Sequence, residues 1–122
     1  MARVLIVDDE TDALLFLEDE IASLRHEVAT APDGLKALEK AREWDPHLVL
    51  LDVRMPEMDG IATLKKLKEY DPRIAVIMMT ALRDEEVAKQ ALQFGAFDYV
   101  TKPINLGRLK MLVETKLIDV LG

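Results

Sequence analysis

The chain has 122 residues, half of them hydrophobic, and carries a formal net charge of −7. This length fits one domain with a buried core, and the acidic balance argues against nucleic acid binding, which needs a basic surface. The absence of cysteine excludes disulfides and thiol chemistry, and no apolar run approaches the ~20 residues that span a bilayer. The first residues, MARVLIVDDE, lack the long apolar stretch of a secretory signal, so we expect a cytoplasmic protein.

The first half of the chain predicts three strands that alternate with two helices. Short apolar or alternating runs indicate strands, and apolar residues that recur every three or four positions indicate helices. Thr11 or Asp12 is the candidate N-cap of the first helix, and Asp45-Pro46 ends the second. The predicted order is strand 3–7, a helix around 14–24, strand 27–31, a helix around 35–41 and strand 48–52.

The second half repeats the alternation. Asp71-Pro72 ends the third helix, and Gly95 lies where the fourth helix is expected to end. The predicted order is a helix around 61–67, strand 75–80, a helix around 87–92, strand 97–101 and a final helix around 106–120.

Helices between consecutive strands imply a parallel sheet covered on both faces. Five strands and five helices in a chain of this length predict a flavodoxin-like (βα)5 fold. This is a three-layer α/β/α, doubly wound parallel sheet with strand order 2-1-3-4-5. Ligands of such folds bind beyond the carboxyl ends of the strands, at the topological switch point.

Chemically active side chains follow the predicted strands at that edge. Asp8 and Asp9 follow the first strand, and Asp52 ends the third. Thr80 ends the fourth strand, and the fifth runs into Lys102. In the predicted strand order, these residues converge on one small region.

Three neighbouring carboxylates are unfavourable unless a cation neutralises them, because like charges raise one another's pKa. Carboxylate, carbonyl and water oxygens suit a hard ion, Mg²⁺ or Mn²⁺, and not zinc. The two histidines, His26 and His47, flank the starts of strands at the opposite end, where we expect surface positions.

A metal beside one carboxylate, with Lys102 and Thr80 opposite, forms a receptacle for a phosphoryl group. Asp52 is the central candidate for covalent acceptor, because the third strand lies between the first and the fourth. Each residue also has a plainer interpretation when taken alone. Asp52 fits a turn or cap, Lys102 fits a surface lysine, and Thr80 fits the end of a β-branched strand.

Four segments carry the most specific pattern: VLIVDDE at 4–10, LLDVRMPEMDG at 50–60, MMTA at 78–81 and TKP at 101–103. In this order and spacing they resemble the CheY-like receiver domain of bacterial two-component response regulators. The resemblance covers the whole chain. Within the family, DVRMPEMDG and GAFDYVTKP look most similar to NtrC-like activators and to sporulation phosphorelay receivers.

The resemblance implies a phosphorylation site and a metal site. Asp52 would be the phosphoacceptor and a ligand of Mg²⁺, for which Mn²⁺ substitutes. Asp9 would bind the metal directly, and Asp8 mainly through water or as a lesser ligand. The backbone carbonyl of Arg54 would complete the protein ligands.

The resemblance also implies a two-state switch. Thr80, the backbone of Ala81 and Lys102 would contact the phosphoryl oxygens, and the Lys102-Pro103 peptide bond would be cis. Phosphorylation would draw Thr80 inward, and Tyr99 would turn inward with it. This movement would remodel the face formed by the fourth helix, the fifth strand and the fifth helix. Tyr99 also fits a plain tyrosine at the edge of the core.

Two positions are expected to tune the lifetime of the phosphoryl group. Arg54 and Leu82 lie two residues beyond Asp52 and Thr80, where side chains in the family influence how water reaches the acyl phosphate. Ile104 stands where most receivers carry phenylalanine, which is expected to loosen packing above the site.

The resemblance implies partners as well. A sensor histidine kinase or a histidine phosphotransfer protein would donate the phosphoryl group, often docking on the first helix and the loop after the fifth strand. The signal would pass to a downstream protein or a fused output domain. We expect residues 1–122 to be a single receiver domain without an output domain. It would not be an enzyme, beyond promoting its own Mg²⁺-dependent phosphorylation and dephosphorylation. Direct nucleic acid and membrane binding are not expected, whereas a homodimer through the fourth helix, fifth strand and fifth helix is plausible.

Three other functions fit parts of the pattern. A phosphohydrolase of the haloacid dehalogenase type needs a second aspartate two residues after the first, where this chain has Arg54. An FMN-binding flavodoxin needs a hydroxyl- and glycine-rich loop after the first strand, where this chain has acids. A degenerate receiver that only scaffolds would lack site residues, and all of the expected ones are present.

Overall fold

A computed structural model describes residues 2–55 and 58–122 of the chain. Pro56 and Glu57, part of the LLDVRMPEMDG segment, lie outside the described residues. The strands are β1 (Arg3–Val7), β2 (Glu27–Ala31), β3 (Leu48–Asp52), β4 (Ala75–Ala81) and β5 (Asp98–Lys102). The helices are α1 (Thr11–Ala22), α2 (Gly34–Trp44), α3 (Gly60–Tyr70), α4 (Glu85–Gln93) and α5 (Leu106–Leu121), with a 3-10 turn at Leu82–Asp84.

The five strands form one parallel sheet in the order β2-β1-β3-β4-β5. The predicted flavodoxin-like fold and strand order are therefore confirmed. β3 pairs with β1 on one side and with β4 on the other, so it is the central strand. All five residues of β3 are buried, as expected for a strand covered on both faces.

Two hydrophobic clusters lie on opposite faces of the sheet. One joins the sheet to α2, α3 and α4, and includes Leu51, Leu64 and Met78. The other joins it to α1 and α5, and includes Leu50 and Val113. Each fully buried aliphatic side chain of this kind stabilises the fold by about 1.5–3 kcal/mol. The alternation of neighbouring residues between the clusters fixes the register of β3 and thereby the side of the sheet to which each side chain points.

Side-chain caps set the starts of three helices. Asp33, Asp59 and Asn105 each accept a hydrogen bond from the backbone N–H three residues later, at 2.8, 2.8 and 3.0 Å. The prediction for the first helix was wrong. Its N-cap is Glu10, and Thr11 is already the first helical residue. Within residues 2–55 and 58–122, no helix is both long enough and apolar enough to span a bilayer.

Candidate functional site

The carboxyl ends of the central strands carry the site, because parallel strands all end at the same edge of the sheet. Asp8 follows β1 directly, Asp52 is the last residue of β3, and Lys102 is the last residue of β5. Thr80 is the sixth residue of β4 and pairs with Thr101 of β5. The structure thus places all four side chains at the edge where the sequence predicts them.

Three carboxylates lie together at this edge. One oxygen each from Asp8, Asp9 and Asp52 lies within 4.8 Å of the others. Asp8 is fully buried, Asp52 is 7% exposed and Asp9 is open to solvent. The trio therefore presents two fixed, buried oxygens and one accessible oxygen. This all-oxygen set fits a hard divalent cation and offers no nitrogen or sulfur ligand for zinc.

Lys102 contributes a positively charged side chain to the site. Its Nζ lies 3.1 Å from Asp8 Oδ2 and 3.6 Å from Asp52 Oδ2. Burial acts to lower the pKa of Lys102, but the charges of Asp52 and Asp8 outweigh burial and raise its pKa above the usual value. The peptide bond between Lys102 and Pro103 is cis.

The pKa of Asp52 is raised from 3.8 to about 7. Burial is the main cause, and the charge of Asp8 adds to it. Lys102 and a backbone hydrogen bond from Arg54 act in the opposite direction without restoring the ordinary value. One positive charge does not neutralise three carboxylates, so the site favours a second cation.

Thr80 and Tyr99 lie on neighbouring strands but do not contact each other through their hydroxyls. Thr80 is fully buried, and its Oγ1 donates a hydrogen bond to the carbonyl of Ala81 at 3.0 Å. The Tyr99 hydroxyl donates to Glu85 Oε2 at 2.9 Å, at the start of α4. Tyr99 is thereby held by α4, with its ring half-buried against the core.

Arg54 reaches a residue that the sequence did not single out. Its Nε donates to Asp84 Oδ2 at 2.6 Å, and its Nη2 donates to Asp84 Oδ1 at 2.8 Å. The Arg54 guanidinium holds the pKa of the Asp84 carboxyl below its usual value. Leu82, the other predicted tuning position, projects into solvent at the start of the 3-10 turn.

The arrangement combines a buried carboxylate on the central strand, an acidic pair, a lysine and a hydroxyl around one edge of the sheet. It is therefore equipped to bind a divalent cation and an anionic group side by side. The family model of the response regulator receiver domain matches residues 4–114. The chain belongs to the response regulator receiver domain family. Receiver domains are signalling modules that generally bind Mg²⁺ in an acidic pocket, and they interact with histidine kinases and fused output domains.

Relatives of this receiver domain include NtrC-like regulators. It is 44% identical over 115 residues to the regulatory protein AtoC of Escherichia coli K12, covering 94% of this chain and 25% of that protein. It is also 44% identical over 114 residues to the transcriptional regulatory protein ZraR of the same strain, covering 93% and 26%. The chain thus spans about a quarter of the length of these curated relatives.

Solved structures agree with the family and the fold. The receiver domain of NtrX from Brucella abortus superposes with a TM-score of 0.88 at 32% identity, covering 92% of this chain and 95% of that one. A receiver domain protein from Clostridium thermocellum gives 0.93 at 28% identity, and each chain is covered completely. The predicted resemblance to receiver domains, and to NtrC-like receivers in particular, is confirmed.

The sequence does not predict two side-chain contacts within this receiver domain. Asp84 holds Arg54, and Glu85 holds Tyr99. The only signal in the sequence was an acidic residue at the start of the fourth helix, which ordinarily indicates an N-cap. That signal identifies a helix start and carries no information about a partner 30 residues away.

Proposed function

We propose that Asp52 accepts a phosphoryl group from a phosphohistidine of a sensor histidine kinase or a histidine phosphotransfer protein. One observation carries the proposal: the Asp52 carboxylate ends the central strand between the acidic residues after β1 and the ammonium of Lys102. A nucleophile, a place for a metal and a cation for phosphoryl oxygens therefore lie within a few ångströms.

In the proposed transfer, a carboxylate oxygen of Asp52 attacks the phosphorus atom of the phosphohistidine. A new P–O bond forms, the P–N bond breaks, and its electron pair stays on the imidazole nitrogen of the donor. Asp8, Asp9, Asp52 and the backbone carbonyl of Arg54 would hold Mg²⁺, or Mn²⁺ in its place. The metal supplies neutralisation of negative charge on the phosphoryl oxygens when it is bound.

The remaining contacts with the phosphoryl group come from β4 and β5. Lys102 would exchange its ion pairs with Asp8 and Asp52 for a phosphoryl oxygen, and the Ala81 N–H would donate to another. Thr80 would rotate from the Ala81 carbonyl toward a third oxygen. The loss of that bond is offset by a stronger, charge-assisted one.

Tyr99 would leave Glu85 and turn inward as Thr80 moves. The outward position depends on one hydrogen bond to a partly exposed carboxylate, so a local charge change suffices to bias the two positions. The altered face is formed by α4, β5 and α5. It would signal to a downstream protein or a fused output domain, and it is the proposed surface of a homodimer. Light scattering with and without beryllofluoride checks the dimer.

The phosphodonor is proposed to dock on α1 beside the site. α1 exposes Leu15 and Phe16, and Phe16 lines a cavity of about 320 Å³ that also touches Lys102, Pro103 and Ile104. An apolar surface next to the phosphoacceptor fits a helical partner that presents a histidine. The transfer is proposed to take place in the cytoplasm, and the domain itself is proposed to bind neither nucleic acid nor membrane.

Incubation with acetyl phosphate and Mg²⁺, followed by intact mass measurement, tests the phosphoacceptor. We expect a gain of about 80 Da, one phosphoryl group, in the wild type. Asp52→Asn is expected to remove the adduct completely, because the amide is not a nucleophile for phosphorus. Asp59→Asn is the matched control, since Asp59 caps α3 and is expected to leave the adduct in place. An unmodified wild type, or an adduct that persists in Asp52→Asn, contradicts the proposal.

Magnesium binding is expected to depend on Asp8, Asp9 and Asp52 and not on the overall negative charge of the domain. Asp9→Asn removes the accessible oxygen, and we expect Mg²⁺ affinity to fall at least about tenfold. Asp12→Asn makes the same change of charge in the first turn of α1, outside the trio, and is expected to alter the affinity less than about twofold. Calorimetric titration of both variants makes the comparison. If both variants lost the same Mg²⁺ affinity, the ion would be held by the general negative charge of this surface and not by a defined site.

A further inference from the structure

The Arg54–Asp84 pair joins two loops across the edge where the phosphoryl group is proposed to be added. Arg54 lies two residues after Asp52, in the connection from β3 to α3, and Asp84 lies four residues after Thr80. β3 and β4 are neighbours in the sheet, so the pair closes a bridge between their ends. Both guanidinium contacts, at 2.6 and 2.8 Å, have the forked geometry of a strong ion pair.

The burial of the two partners is unequal. Asp84 is 4% exposed, whereas the side chain of Arg54 is 68% exposed. A cavity of about 200 Å³ touches Arg54 together with Asp84, and a second cavity of about 380 Å³ touches Arg54 together with Asp9. The arginine thus lies between the carboxylate that it holds and the metal-binding side of the site. The exposed guanidinium can therefore move away from this contact, whereas the buried Asp84 carboxylate is confined to a local rotation.

Asp84 occupies the N-cap position of α4 without acting as a cap. In the described part of the chain, its side chain forms no bond to the backbone N–H groups of α4, because both oxygens face Arg54. Asp33 and Asp59 show the usual arrangement at the starts of α2 and α3. The next residue, Glu85, holds the Tyr99 hydroxyl. The start of α4 is therefore tied to Arg54 and to Tyr99 through two consecutive acids.

We propose that Asp84 is a positioning residue that holds Arg54 away from the phosphoryl group in the resting protein and releases it on phosphorylation. This inference rests on the proposed function of Asp52. A phosphoryl group carries a charge of about −1.5 to −2 and also accepts the forked guanidinium, so it competes with the single charge of Asp84.

Release has a second consequence at the other end of the pair. Asp84, freed from Arg54, turns to the N–H groups of the first turn of α4 and becomes an ordinary N-cap. The start of α4 then changes its bonds in the same event that frees the Tyr99 region. Arg54, once on the phosphoryl group, restricts the approach of water and prolongs the lifetime of the acyl phosphate.

Binding of beryllofluoride in the presence of Mg²⁺ tests the competition, with affinities measured by NMR titration. Asp84→Asn is expected to strengthen the apparent affinity about tenfold, because the arginine no longer has to leave a charged partner. Arg54→Ala is expected to weaken it. In the Arg54→Ala background, Asp84→Asn is expected to change the affinity less than about twofold. Glu86→Gln, an equal charge change on the exposed side of α4, is the matched control.

The wild type supplies a readout that does not depend on any variant. On addition of beryllofluoride, the backbone N–H of Val87, three residues after Asp84, is expected to gain protection from hydrogen exchange as the cap forms. The Nε–H resonance of Arg54 is expected to shift in the same titration. A fixed Arg54 resonance and an unchanged Val87 amide would overturn the proposal.

Failure of this inference is separable from failure of the proposed function. If Asp84→Asn has the same effect with and without Arg54, or no effect, the positioning role is wrong, while beryllofluoride binding to the wild type stands. If the wild type does not bind beryllofluoride, or if Asp52→Asn binds it equally well, the proposed function itself is wrong. Denaturation curves of each variant separate a loss of fold from a change in binding.

Discussion

Gly60→Ala is expected to lower the free energy of unfolding by about 3 kcal/mol or more. A Cβ at Gly60 would meet the carbonyl oxygen of Asp52, and it would lie 2.7 Å from Val53 Cα and 2.9 Å from the Val53 carbonyl. All three are backbone atoms of the segment that carries the proposed phosphoacceptor, Asp52. Val53 is itself held to β4 by a hydrogen bond of 2.9 Å from its N–H to the Met79 carbonyl. Moving this segment aside would therefore disturb its hydrogen bond to β4.

Gly107→Ala is the matched control for this prediction. Gly107 is exposed near the start of α5, and the nearest atom to an added Cβ is a side-chain oxygen of Asn105 at 3.3 Å. We expect a change of at most about 1 kcal/mol there, because alanine favours the helix and Asn105 shifts slightly. Urea denaturation followed by circular dichroism compares the two. A Gly60→Ala protein as stable as the wild type would show that the loop relaxes freely.

Asp52→Asn is expected to stabilise the metal-free protein by about 1–3 kcal/mol at pH 8. The asparagine keeps the shape of the side chain and removes a buried negative charge that lies beside Asp8. A carboxyl whose folded pKa is raised contributes stability that is fully present below the unfolded pKa and is lost as pH rises through the folded pKa. For Asp52 these values are 3.8 and about 7. The advantage of the variant should therefore grow between about pH 4 and pH 7 and remain constant above.

Magnesium gives the complementary measurement. The ion neutralises the carboxylates of the wild type, so saturating Mg²⁺ is expected to raise the melting temperature of the wild type and to reduce or reverse the advantage of Asp52→Asn. Asp33→Asn, at the cap of α2, should leave the response to Mg²⁺ unchanged. An Asp52→Asn protein that is less stable than the wild type at pH 8 without metal would contradict a raised pKa for Asp52.

The stability of the site and its proposed chemistry act against each other. Burial and the nearby charge of Asp8 make ionisation of Asp52 unfavourable. The same position limits the access of water to its carboxylate and sets it between the candidate metal ligands and Lys102. A bound cation would neutralise the carboxylates whose repulsion destabilises the metal-free fold. The stability of the domain is therefore expected to respond to its ligands. The ion pair of Arg54 with Asp84 is proposed to be a second charge-sensitive element beside it.

The sequence was sufficient for the fold because local and long-range preferences agree. The apolar run of β3 demands burial on both faces, and helices on either side of it can supply that burial only in a parallel, doubly wound sheet. The caps at Asp33 and Asp59 are equally local, since each involves residues three apart. The convergence of Asp8, Asp52 and Lys102 follows from topology alone, because parallel strands end at one edge.

The sequence misled where a side chain had a distant partner. His26 and His47 were expected at the surface, but both are half-buried, and their Nδ1 atoms accept hydrogen bonds from the backbone N–H groups of Ala2 and Arg3, at 3.3 and 3.0 Å. These bonds fasten the start of β1 to the segments that precede β2 and β3. The histidine side chains therefore have a structural role. The sequence suggested solvent exposure because a polar residue just before a strand is usually solvated.

What the sequence by itself determined is the family, the sheet and the edge at which the reactive residues meet. These depend on periodicity, on strand ends and on short motifs, all of which are legible along the chain. Only the tertiary structure decided the pairs Arg54–Asp84 and Glu85–Tyr99, which are 30 and 14 residues apart. Each partner has several local alternatives of similar energy, including an N-cap for Asp84. The geometry of two loops brought together by the sheet selects among these alternatives.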